Sequence, residues 1–149
     1  MSCLASINYD PAVVAAVSTN VVRAMAALNT TSLRLGFTVP LSGKVMVRMQ
    51  GVVHGAATVP QMLWGVMDTS TVVARIAPKI NSANLSASAL VVGEAMFVVA
   101  GLTPESALTW DAAVGVETAV SSSAIKYGGP NTSTANNAFG GFSFEVWGV

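Results

Sequence analysis

Ionic side chains are the scarcest component of this sequence: seven Lys or Arg and seven Asp or Glu in 149 residues, of which 52% are hydrophobic. An ordinary soluble domain is about 25% charged. A folded chain of 15.2 kDa exposes roughly 7,000 Å², or about one charge per 500 Å². A surface so poor in charge tends to associate, so the composition predicts that part of the outside is covered within an assembly.

The other scarcities exclude whole classes of chemistry. The net charge is zero, and Arg23, Arg34, Lys44, Arg48, Arg75, Lys79 and Lys126 are scattered, which argues against nucleic acid as a partner. Cys3 is the only cysteine, so no intrachain disulfide can form. His54 is the only histidine, and its Val52-Val53-His54-Gly55-Ala56 setting holds no nucleophile motif; it reads as a strand-end residue. The seven acids are dispersed, so no metal site and no cofactor is expected. Asp111 and Glu117 share a strand face, but six residues at about 3.3 Å each set them some 20 Å apart, too far for a glycosidase pair. Phe139-Gly140-Gly141-Phe142 lacks the lysine of a phosphate loop, and its glycines are expected to permit close approach of strands. The sequence is therefore read as that of a non-enzyme. Residues 1–29 lack the basic region and apolar core of a signal peptide, and no apolar run has membrane-spanning length. Synthesis in a cytoplasm and no membrane partner are expected. The sequons at Asn29, Asn84 and Asn131 are read as chance products of a Ser- and Thr-rich chain.

What the sequence does have is period-two alternation bounded by turn formers. Leu33, Leu35, Phe37 and Val39 alternate with Arg34, Gly36 and Thr38. After a turn at 40–43, Val45, Val47 and Met49 form an inward set and Lys44, Met46, Arg48 and Gln50 an outward one, in which Met46 is the apolar exception. Further strands are expected at 62–68, 71–80, 87–93, 95–100, 107–117 and 142–147. In 107–117, Leu108, Trp110, Ala112, Val114 and Val116 share one face, while Thr109, Asp111, Ala113, Gly115 and Glu117 share the other. Some eight to ten short strands with turns at roughly ten-residue spacing predict an all-β antiparallel sandwich, most naturally a jelly roll.

Residues 11–28 admit two readings. Asp10-Pro11 looks like a helix start, with Val14, Val17, Val21, Met25 and Leu28 on one helical face, whereas the β-branched content favours a strand. The strand is preferred, giving an extended N-terminal arm at 1–16 ahead of a jelly-roll domain at 17–149. Residues 128–137 are expected to form a long surface loop. Trp64, Trp110, Trp147, Tyr127 and Phe142 could form a sugar platform, but aromatics at strand spacing more often serve a core or a subunit interface. Any carbohydrate site would fall at 127–137, on Tyr127, Asn131, Asn136 and Asn137.

Three stretches carry a family resemblance: Leu33-Arg34-Leu35-Gly36-Phe37-Thr38-Val39-Pro40, Ser42-Gly43-Lys44-Val45-Met46-Val47-Arg48, and Phe139-Gly140-Gly141-Phe142-Ser143-Phe144-Glu145-Val146-Trp147. With Trp110-Asp111-Ala112-Ala113 and Lys126-Tyr127-Gly128-Gly129-Pro130-Asn131, they resemble small virion proteins of tailed bacteriophages. Those proteins carry a jelly roll similar to the tumour-necrosis-factor and complement-globular-head superfamily. The resemblance implies a homotrimer with the last strand near the threefold axis, and hence a trimer interface at Phe139, Phe142, Phe144 and Trp147. So short an N-terminal segment favours a capsid decoration protein that binds the major capsid protein on the virion surface, with an arm of Ser2, Leu4, Ile7 and Tyr9 reaching the shell. The alternative expectation is a tail-tip or fibre head that binds host surface glycans.

Overall fold

The alternation seen in the sequence resolves into two antiparallel sheets whose apolar faces meet. The computed structural model describes residues 1–13, 15–18, 24–54, 61–76, 90–117, 124–130 and 138–149. Its strands are β1 (Ser2–Tyr9), β2 (Ala15–Ser18), β3 (Ala26–Ala27), β4 (Arg34–Thr38), β5 (Lys44–His54), β6 (Met62–Asp68), β7 (Thr71–Ile76), β8 (Leu90–Ala100), β9 (Ala107–Val116), β10 (Ala124–Pro130), β11 (Ala138–Phe139) and β12 (Phe142–Gly148). The described residues contain no helix. The fold is thus all-β, with a seven-stranded and a five-stranded sheet in a sandwich-like arrangement.

The long strand β5 organises the larger sheet. Along one edge it pairs with β8 over its whole length, from Lys44 opposite Ala100 to His54 opposite Leu90. Its other edge is shared: β12 takes Val45 to Gln50 and β10 takes Val52 to His54. Beyond these lie β1 on β12, and β2 and β11 on β10. In the smaller sheet β9 is central, with β6 and then β7 on one side and β3 and β4 end to end on the other.

Facing positions fill the interior. Val45, Val47, Met49 and Val53 from β5, and Phe142, Phe144 and Val146 from β12, meet Leu35 and Phe37 of β4, Met62, Trp64 and Val66 of β6, and Trp110, Ala112, Val114 and Val116 of β9. Aromatic rings pack within the sheets and, at Trp64 and Phe142, between them. Trp64 stacks on Phe142 at 5.8 Å, Tyr127 meets Phe142 edge-on at 5.8 Å, and Phe37 meets Trp110 edge-on at 4.8 Å.

Three expectations change here. The segment Ser2–Tyr9 is not a free arm: it pairs with β12 from Ser2 opposite Gly148 to Tyr9 opposite Phe142, and Leu4, Ile7 and Tyr9 lean on the core. The boundary between an arm at 1–16 and a domain from 17 therefore dissolves, because β2 also belongs to the sheet through its ladder to β10, which leaves no helix at Ala15–Ser18. Residues 87–89 lie outside the described ones, and 90–93 and 95–100 are not separate strands. Residues 90–100 form one unbroken ladder, and Gly93 and Glu94 continue it. The second face of β9 is exposed at Thr109 and Glu117 and buried between them, at Asp111, Ala113 and Gly115. Met25, Leu63 and Met67 cover Ala113, while the Arg34 guanidinium covers Asp111 with two bonds, Nε to Oδ1 at 2.7 Å and Nη2 to Oδ2 at 2.8 Å. A buried carboxylate needs such a partner, and that hydrogen bond raises the Arg34 pKa above its ordinary value, with the charge of Asp111 adding to it.

Candidate functional site

Side chains on the outer face of the seven-stranded sheet line up in rows that cross β8, β5, β12 and β1. Val98 stands opposite Met46, Met46 opposite Trp147, and Trp147 opposite Cys3. The next row runs Met96, Arg48, Glu145, Ser6, and the one after it Glu94, Gln50, Ser143, Asn8. A fourth begins with Val92 opposite Val52 and Val52 opposite Lys126. This pattern follows from strand geometry: every second residue of each strand points outward, and antiparallel pairing brings the outward sets into register.

The surface so formed is apolar in patches and electrically quiet. Val92, Met96 and Val98 are 63%, 59% and 58% exposed, and Met46, Val52 and Trp147 are half-buried beside them. Between them, the one cation Arg48 is shared by two carboxylates. Arg48 Nε donates to Glu94 Oε1 at 2.7 Å, Arg48 Nη1 lies 4.0 Å from Glu145 Oε2, and Trp147 Nε1 donates to Glu145 Oε2 at 2.9 Å. The bond to Glu94 raises the Arg48 pKa, and the charges of Glu94 and Glu145 reinforce it. Met, Trp and Arg are the residue types enriched at protein interfaces, and the Arg48–Glu94 pair is already closed within one subunit.

The residues singled out from sequence fall in different places. Trp147 is on this face, but Phe142 and Phe144 are fully buried in the interior of the same subunit and Phe139 is buried in β11, so they are not available to a neighbour. The physical reason is parity: on β12, Phe142, Phe144 and Val146 point inward, while Ser143, Glu145 and Trp147 point outward. Ser2 is exposed on β1, whereas Leu4, Ile7 and Tyr9 are half-buried. Tyr127, expected on an exposed loop, is buried on β10 and meets the Tyr9 ring edge-on at 5.8 Å. Asn131, Asn136 and Asn137 lie outside the described residues. Trp64 and Trp110 are core residues, so no aromatic sugar platform joins them to Trp147. His54 ends β5, as expected. Gly141 permits close approach, because a Cβ there would meet Asn8 Oδ1 at 2.5 Å; Gly140 faces open space. Among the described residues no three His, Cys, Asp or Glu side chains gather where they could hold a metal ion.

Sequence reading misses β8 as the main contributor to the exposed apolar face. The available signal is Met46, an apolar side chain in an otherwise polar outward set, which stands opposite Val98.

Burial raises the Tyr127 pKa, and the charge of Tyr9 adds to the shift. The unfolded chain releases the Tyr127 proton near the ordinary value of about 10, while the folded chain holds it to higher pH. Stability is therefore complete below about pH 10 and falls as pH rises from there toward the raised folded value. The variant Tyr127→Phe is expected to remove part of that alkaline loss, as measured by urea midpoints between roughly pH 8 and 11.

No family model matches the sequence, and no curated protein matches it.

Proposed function

We propose that this chain is a structural protein of a tailed-phage virion, a homotrimeric jelly roll that decorates the capsid and cements neighbouring copies of the major capsid protein. Strand order favours the jelly roll: β8-β5-β12-β1 in one sheet and β7-β6-β9-β4 in the other, with the chain crossing between sheets from β4 to β5, β5 to β6, β7 to β8 and β8 to β9. The single observation that carries the reading is the outer face of the seven-stranded sheet, where Val98, Met46 and Trp147 form an apolar row beside internally paired charges. A chain with one charge per about 500 Å² has little else to keep such a face in water. Covering it with a second and third copy removes the apolar row from solvent, and the remaining surface faces the shell.

Sedimentation of the purified chain tests the self-association. The wild type is expected at the mass of three chains or a multiple of it, and Met46→Glu below three, because a carboxylate between Val98 and Trp147 would have to be desolvated, at more than the about 1–3 kcal/mol of an uncharged polar group. A wild type of one or two chains, or a Met46→Glu variant that sediments unchanged, overturns the trimer. Copy number tests the location: hundreds per particle fit a capsid lattice, and a few to a few dozen place the protein on a tail.

A further inference from the structure

An exposed sheet edge is a template for another strand, and folded proteins blunt their edges with bulges, short strands, proline or charge. The other outer strands here are blunted. Strand β1 carries an irregularity between Cys3 and Ala5, β7 is six residues long with an irregularity in its pairing to β6, and β2, β3, β4 and β11 have four, two, five and two residues. Strand β8 is different. It has eleven residues, pairs with β5 without a register shift, contains no proline, and has Glu94 as its one charge, already bonded to Arg48 at 2.7 Å. Among the described residues no strand pairs with its other edge.

The sequence of β8, Leu90-Val91-Val92-Gly93-Glu94-Ala95-Met96-Phe97-Val98-Val99-Ala100, has a property that selects its partner. The two valine pairs sit symmetrically about Ala95, three and four residues away on each side. In an antiparallel pair centred on Ala95, Val92 faces Val98 of the other copy and Val91 faces Val99, twice over, with a small side chain at the axis. Glu94 faces Met96 of the other copy, so the two carboxylates lie diagonally and each keeps its own Arg48. No like charges stand directly opposite.

We propose that β8 pairs antiparallel with β8 of a second copy of this chain, joining the two larger sheets into one continuous sheet about a twofold axis through Ala95. The ladder is about 37 Å long. It is isologous, so it closes with two subunits and leaves no new edge. The contact lies in the plane of the sheet, whereas the trimer proposed above uses its outer face, so neither depends on the other. Together, a threefold and a twofold contact would link trimers into a net.

Disulfide trapping reads this register directly. In the full chain with Cys3→Ser, the double variant Val92→Cys/Val98→Cys places cysteines opposite each other at two points of the twofold pair. Within one strand the two positions are about 20 Å apart, far beyond the roughly 7 Å Cα separation that a disulfide spans. Both positions are exposed, so the fold is kept, and circular dichroism confirms it. Mild oxidation is expected to convert most of the double variant into a two-chain band on a non-reducing gel, including when Met46→Glu is added to dissolve trimers. Each single variant is expected to remain a one-chain band, because like positions of the two copies are also about 20 Å apart in this register. A double variant that stays one chain, or single variants that cross-link as readily, overturns the proposal.

Discussion

Replacing Phe142 by alanine is expected to lower stability by about 3–5 kcal/mol, the range for truncating a buried aromatic side chain. The Phe142 ring is fully buried, stacked on Trp64 at 5.8 Å and edge-on to Tyr127 at the same distance. Opposite it, Gly51 provides the space: a Cβ there would lie 2.6 Å from the Phe142 ring. Nothing nearby can fill the void at low cost, since both flanking rings are held by their own strands. For a chain of this size the loss corresponds to a fall in Tm of roughly 10 °C. Trp147→Ala, five residues along the same strand but on the outer face, is expected to leave the urea midpoint of the isolated chain within about 1 kcal/mol and to act on association instead. The pair of variants separates interior from interface. If Phe142→Ala unfolded at the wild-type midpoint and only self-association were lost, the assignment of β12 parity would be wrong.

That parity is written in the amino-acid order of 142–147, and it is also easy to misread. Period two fixes which of these residues share a face, and the charge of Glu145 marks its own face as the outer one. Grouping Phe139, Phe142, Phe144 and Trp147 by aromatic character cuts across the alternation and mixes the two faces. The same rule works where polarity is cleaner. Val45, Val47 and Met49 are buried while Lys44, Arg48 and Gln50 are exposed, and Leu35 and Phe37 are buried while Arg34 and Thr38 are not. It fails on β9, because Asp111 looks like an outward residue until Arg34, 77 positions away in the sequence, is placed beside it. Long-range pairing of that kind leaves no local mark. Strand β8 reads as two pieces for a related reason: Gly93 and Glu94 are poor strand residues by themselves, but Gly93 lies where a Cβ would meet the Trp64 ring at 2.7 Å. Glu94, in turn, is held by Arg48. Neighbours decide both positions, and propensity does not.

Strand β1 gives the second large effect. Ile7→Asp is expected to destabilise the folded chain by about 2–4 kcal/mol, combining the lost burial of a branched aliphatic side chain with the desolvation of a carboxylate. Ile7 stands opposite Phe144 and leans on the core, so the new charge must either enter that environment or release the strand. The cost is capped by the free energy with which β1 docks, because detachment is always open to a terminal edge strand. The neighbouring change Asn8→Asp introduces the same charge one residue away on the exposed side, opposite Ser143, and is expected to stay within about 0.5 kcal/mol of wild type. Urea midpoints of the two variants measure the contrast. A segment that reached away from its own sandwich would show neither effect, since both side chains would be in water in the isolated chain. Equal midpoints for Ile7→Asp and Asn8→Asp would therefore return Ser2, Leu4, Ile7 and Tyr9 to the role of a free arm, whereas a separation of about 2 kcal/mol or more fixes them as part of the sheet and directs the search for the capsid contact elsewhere on the surface.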